Sequence, residues 1–145
     1  MRRREPLSTD TAPAAARRWL ARRDYSQAEL RARLEREGLA ATDADRLAAE
    51  LADGWWQSDE RFAVSLVRSR ARQGKGPRLV RAEFSGHALD EADFRRACDE
   101  AEVDWQAAAA EALRRCRHSD PQRQRQFLQR KGFESDQIRD ALAEG

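Results

Sequence analysis

From Ala14 to the end of the chain, signals that start and stop helices follow one another at short intervals. This punctuation leaves room only for short helices joined by tight turns. Ser26-Gln27-Ala28-Glu29 has capping-box spacing: the serine hydroxyl takes the N3 amide, and the glutamate returns to the serine amide. Leu30 and Leu34 follow at i, i+4, and Gly38 supplies a left-handed stop. The same reading predicts a first helix over Ala14–Arg23, with Trp19 and Leu20. Thr42 with Asp45 opens a third, carrying Leu47 and Leu51 and ending at Gly54. A fourth starts near Ser58 or Asp59 and runs past Phe62, Leu66 and Val67 to Gly74. Gly76-Pro77 restarts the chain, because proline suits the first helical turn, and Val80 and Phe84 line the fifth helix. Asp90 and Asp93 open the sixth, with Phe94 and Cys98 facing inward, and Asp104 caps the seventh, with Trp105, Ala109 and Leu113. Asp120-Pro121 opens the eighth, which carries Phe127 and Leu128 and closes at Gly132; Ser135 caps the ninth, with Ile138 and Leu142. Val, Ile and Thr together supply only eight of 145 residues, so helix is favoured throughout and the fold class is all-α. Residues 1–13, with Pro6, Ser8, Thr9, Thr11 and Pro13, lack apolar rhythm and read as a mobile tail.

Nine helices invite a search for repeats. Leu34, Leu39, Ala44 and Ala48 align with Phe84, Leu89, Phe94 and Cys98, and again with Leu128, Phe133, Ile138 and Leu142. The copies are offset by 50 and 44 residues, with Gly38 and Gly132 in register and Ala88 between them. The expected architecture is an elongated array of three tandem three-helix units, helix-turn-helix-like, over 14–57, 58–103 and 104–145. Each unit is too small to bury its apolar face without a neighbour.

Several function classes fall away. The longest apolar runs are alanine tracts such as Ala107 to Ala110, which excludes a membrane-spanning helix. Arg2, Arg3 and Arg4 lead into Glu5 and Pro6 rather than an apolar stretch, so no signal peptide is readable. Cys98 and Cys116 alone make no disulfide scaffold, and a reducing cytoplasm is the expected compartment. Cys116-Arg117-His118 is too tight for a paired zinc knuckle, and no second pair completes four ligands. Gly74-Lys75-Gly76 lacks the earlier glycine, the Lys-Ser/Thr end and the preceding strand of a phosphate loop. The expectation is a binder without catalytic residues, metal or cofactor, acting as a monomer.

Charge carries what remains. The chain has 26 Arg but only Lys75 and Lys131 as lysines, and a net charge of only +2. Segments alternate: 14–37 sums to +3, 38–58 to −3, 59–86 to +4, 87–111 to −6, 112–131 to +6 and 132–145 to −3. Two readings stay open. The basic helices form a stripe for a polyanion or an acidic protein groove, or they pair with the acidic helices of the same chain. The densest basic segment holds Arg68, Arg70, Arg72, Lys75, Arg78 and Arg81. Arg68 and Arg72 share a helix face, as do Arg78 and Arg81. Arg114, Arg115, Arg123 and Arg125, with Arg117, Arg130 and Lys131, form a second cluster. Trp19, Trp55, Trp56 and Trp105 either stack on bases or pack between units. Trp55 and Trp56, being adjacent, cannot both face one core.

Asp59-Glu60-Arg61-Phe62-Ala63, Arg68-Ser69-Arg70 and Gly74-Lys75-Gly76-Pro77 together resemble the RecX family, regulators of the RecA recombinase. Tyr25-Ser26-x-x-Glu29-Leu30-x-x-x-Leu34 resembles that family's first repeat, and Phe127-Leu128-x-Arg130-x-Gly132-Phe133 its last. Asp59, Arg61, Phe62, Gly74 and Gly76 are the residues that carry the motif. The chain departs from the pattern in four places. Gly54 sits one position early, Gln57 takes an aliphatic place, Ala88 replaces a glycine, and Gln124 stands where the first repeat has Leu30. The resemblance implies three tandem three-helix repeats and binding along the groove of RecA filaments. It also implies depressed ATP hydrolysis and strand exchange, with contact to single- or double-stranded DNA in some members. Direct DNA binding through degenerate helix-turn-helix units is the alternative.

Overall fold

The computed structural model describes residues 5–144 and holds, among them, nine helices and no strand. They are α1 (Ala12–Arg22), α2 (Gln27–Arg36), α3 (Ala41–Asp53), α4 (Asp59–Arg72), α5 (Pro77–Gly86), α6 (Glu91–Ala101), α7 (Trp105–Arg114), α8 (Pro121–Arg130) and α9 (Ser135–Glu144). Caps fall largely where the sequence puts them. Ser26 Oγ accepts from Glu29 N at 3.0 Å. Asp90 and Asp93 form a full capping box, whose amide hydrogen bonds hold the Asp90 carboxyl below the usual carboxylate range. Asp104 and Asp120 cap α7 and α8, and Pro77 begins α5.

The differences are local. α1 starts two residues early because Pro13 fits its first turn. Ala12 and Pro13, read from the sequence as part of a tail over 1–13, are helical. Leu7 packs on the first core and its N–H donates to Glu37 O at 2.7 Å; residues 1–4 lie outside the described residues. α3 opens at Ala41 from a side-chain-free cap at Ala40, which places Thr42 inside its first turn. α9 begins at Ser135 itself, and Gln137 Oε1 accepts the Glu134 N–H at 2.9 Å. The Glu29 carboxylate is taken by Arg23, at 2.6 and 3.1 Å.

The repeat shows most clearly at the end of each second helix. Gly38, Ala88 and Gly132 all have positive φ, at 112°, 60° and 95°. The next amide in each copy returns to the helix: Leu39 to Leu34 O, Leu89 to Phe84 O and Phe133 to Leu128 O, at 3.0, 2.9 and 3.1 Å. This is one left-handed helix stop made three times. The first three inward positions of each copy are buried, whereas at the fourth Ala48 is buried and Cys98 and Leu142 are half-buried. Burial raises the Cys98 thiol pKa.

The chain divides into two compact units, residues 1–62 and 63–145, with the division inside α4. In the first, Leu30, Leu34, Leu39, Ala44, Leu47 and Leu51 close over Ala12, Ala16 and Tyr25. In the second, Phe84 meets Phe94 edge-on at 5.3 Å, and Phe94 stacks on Trp105 at 6.4 Å. Leu128, Phe133, Ile138 and Ala141 pack with Ala109 and Ala112.

Candidate partner-binding surface

The motif residues are braces. Asp59 Oδ1 accepts from Gln27 N at 2.8 Å and from Gln57 Nε2 at 2.9 Å. Gln57 is buried and also donates to Tyr25 O at 3.0 Å. A polar residue thus serves at an aliphatic place because every buried donor named here finds an acceptor. Arg61 Nη2 donates to the carbonyls of Trp55 and Trp56 at 3.0 and 3.2 Å, with Asp24 at 3.8 Å, and Phe62 is buried. Gly74 has φ +82°, and Lys75 N returns to Arg70 O at 3.0 Å. Gly76 lies against backbone: a Cβ there would meet Gly132 C and Phe133 N at 2.6 Å.

That close approach brings the two basic segments of the second unit together. Gly76 N donates to Lys131 O at 2.7 Å and Arg78 N to Gly132 O at 2.9 Å, so the start of α5 sits on the end of α8. Arg115 Nη1 donates to Arg72 O at 3.3 Å, which joins the ends of α4 and α7. Arg68 Nη2 reaches Glu100 O at 3.4 Å.

The cationic residues sort into two groups. Arg70 Nε grips both oxygens of Glu83 at 2.8 and 3.0 Å, and Lys75 Nζ stands 4.0 Å from the same carboxylate. Arg81 pairs with Glu91 at 3.0 Å and Glu134 at 3.1 Å, and lies over the Phe94 ring at 4.7 Å. These three cations are held by carboxylates of α5, of α6 and of the residue before α9. Arg114 and Arg115 pair with Glu111 across one exposed turn, and Arg114 lowers the Glu111 carboxyl pKa. Such exposed pairs compete weakly with a partner. Arg68, Arg72, Arg78, Arg123 and Arg125 are exposed and, among the described residues, pair with no carboxylate; Arg125 donates to Gln122 Oε1 at 3.1 Å. Some guanidiniums are thus clasped within the chain and others face solvent.

The tryptophans also divide. Trp19 and Trp105 are half-buried against the cores, while Trp55 and Trp56 are both exposed, at 78 and 54 %. The expectation that they serve inter-unit packing does not hold for that pair. Among the described residues no three His, Cys, Asp or Glu side chains gather as metal ligands. Among the same residues no helix is long and apolar enough to cross a membrane. Arg18 and Arg22 on α1, spaced i, i+4, and Arg33 and Arg36 on α2, spaced i, i+3, are further basic residues that the sequence reading did not single out.

Comparison with known proteins follows this geometry. Family models match the second three-helix domain of RecX over residues 58–97 and the third over 102–142. A protein of Stenotrophomonas maltophilia (strain K279a) named "Regulatory protein RecX" is 41 % identical over 129 residues, covering 84 % of this chain and 79 % of its own. Its namesake in Chromohalobacter salexigens is 40 % identical over 132 residues, covering 87 % of each chain. The crystal structure of RecX from Lactobacillus salivarius superposes with a TM-score of 0.72 at 23 % identity, over 94 % of this chain and 95 % of that one.

Proposed function

Because this chain belongs to the RecX family of regulatory proteins, we propose that it binds RecA nucleoprotein filaments in the cytoplasm and inhibits their ATPase and strand exchange. It acts as a monomer and without catalysis. The observation that carries this reading is the group of solvent-facing guanidiniums on the second unit. Arg68 and Arg72 lie on α4 and Arg78 on α5, beside the ends of α7 and α8. Arginine forks suit carboxylates on a filament surface and phosphates within it equally well. A molecule bridging successive recombinase subunits would hinder the changes that accompany ATP turnover.

Titrating the protein into a DNA-dependent RecA ATPase assay tests this. Inhibition is expected at micromolar levels, and its absence removes the proposal. Reversing Arg68, Arg72 and Arg78 to Glu is expected to weaken inhibition by roughly tenfold or more while helicity stays intact. The same reversal applied to Arg70 alone breaks the Glu83 pair and is expected to act on stability first. Undiminished inhibition by the triple variant would clear those three residues.

A further inference from the structure

The turn after α3, in the first unit, holds two tryptophans that the proposed function does not use. Trp55 is 78 % exposed and Trp56 54 %, although side chains of this size are highly buried on average. Arg61 holds the turn: its Nη2 donates to the carbonyls of both residues, at 3.0 and 3.2 Å. A Cβ at Gly54 would stand 3.3 Å from Trp56 Cδ1 and 3.4 Å from Glu50 O, so the Trp56 indole lies over the last turn of α3. Glu50 and Asp53, at i, i+3, are exposed on that turn, and among the described residues neither is in an ion pair. The same turn carries no basic residue, so the negative end of α3 lacks the cation that such an end favours. Arg17 stands 5.8 Å over the Trp56 ring, whereas none of the described cations stands over Trp55.

We propose that this turn binds an arginine-bearing segment of a partner protein, with a guanidinium stacked on the Trp55 ring and the Glu50 and Asp53 carboxylates beside it. The occupant follows from charge. An exposed indole face attracts a cation, and a guanidinium is planar and weakly hydrated enough to lie flat on it. Arg17 over Trp56 is the same contact made within the chain. The two carboxylates offer acceptors to the remaining N–H groups of the guanidinium. A nucleobase could stack on the same ring, but its phosphates would meet carboxylates and a negative helix end, and Arg61 is spent on backbone carbonyls. A wholly apolar segment would cover the carboxylates without pairing them. Trp55 projects from the surface, which suits a flat cation better than an anchor that needs a pocket. The solvent-facing guanidiniums of the second unit call for an anionic ligand. A surface of opposite sign is therefore a separate site, and it stands whether or not the chain inhibits RecA.

The test is an NMR titration of the full isotope-labelled chain with a blocked heptapeptide of alternating glycine and arginine, and no recombinase present. The indole N–H signal that Trp55→Gly removes is expected to shift at low salt, with a Kd of about 1 mM or tighter; no shift there overturns the proposal. Affinities are compared through the backbone amides of residues 50–57, which every variant retains. Trp55→Gly is expected to lower affinity by about fivefold, and Glu50→Gln with Asp53→Asn by about threefold. A control with Asp10→Asn and Asp99→Asn removes the same charge elsewhere; an equal loss there overturns the proposal. Equal binding of the peptide with leucine in place of arginine, which would mean an apolar partner, also overturns it, as does tighter binding of an oligothymidylate at the same signals. Trp55→Gly relieves a left-handed backbone at φ +65°, so weaker binding with intact helicity by circular dichroism marks a lost contact and not a lost fold. The Glu50 and Asp53 variant gives the same reading if helicity falls. Trp55→Gly is expected to leave recombinase inhibition unchanged. A parallel loss of inhibition would make this turn part of the filament contact and overturn it as a separate site.

Discussion

Three non-glycine residues stand where the backbone is left-handed, Trp55, Ala88 and Glu102, and the first two fall at or next to places where a glycine is expected. Ala88 has φ +60° at the turn where the other repeats have Gly38 and Gly132. Trp55 has φ +65° at the end of α3, where Trp56 N returns to Leu51 O at 3.0 Å. The misplaced Gly54 has φ −85°, so the glycine is spent one residue before the position that needs it. A Cβ in this region crowds the following carbonyl, costing about 1–2 kcal/mol, less the extra chain entropy a glycine brings. Ala88→Gly and Trp55→Gly are each expected to stabilise by roughly 0.5–1 kcal/mol, read as a higher midpoint in urea denaturation with an unchanged slope. A lower midpoint for Ala88→Gly would show that its methyl group matters more than the backbone strain. Trp55 is 78 % exposed, so removing its ring takes little from the core.

At the scale of elements, the turn at Gly76-Pro77 does two jobs. It starts α5, and it docks the α4–α5 connection on the α8–α9 turn through Gly76 N to Lys131 O and Arg78 N to Gly132 O. Gly76 has ordinary φ, −89°, so its lack of a side chain serves contact and not conformation. Gly76→Ala would drive a Cβ into Gly132 backbone at 2.6 Å and is expected to cost about 1–3 kcal/mol. Gly86→Ala, at the end of α5 with nothing within 4 Å, is expected to be neutral or mildly stabilising. Equal effects at the two sites would mean that the docking contributes nothing. The helices and their order were legible because caps, proline and inward spacing act within one turn of chain. The docking was not, since the carbonyls of Lys131 and Gly132 lie far along the sequence. For the same reason Arg70 and Arg81 read as surface cations: Glu83, Glu91 and Glu134 meet them only after the helices pack.

Across the whole molecule, a net charge of +2 conceals a strong local imbalance. A polyanion feels local charge within a Debye length of about 8–10 Å at ordinary salt, and distant carboxylates are screened from it. Acidic segments therefore need not cancel basic ones, provided the outward guanidiniums stay free of carboxylates. Among the described residues Arg68, Arg72 and Arg78 on the second unit meet that condition. Arg70 and Arg81 do not. Half-maximal inhibition of RecA is accordingly expected to need more protein as salt rises from about 50 to 200 mM. A variant with Gln at Arg68, Arg72 and Arg78 is expected to show a flatter dependence and weaker inhibition at the low end. If inhibition by the unmodified protein were indifferent to salt, the contact would have to be apolar. The exposed Trp55 and Trp56 would then be the first residues to replace, because among the described residues they are the most exposed large apolar side chains.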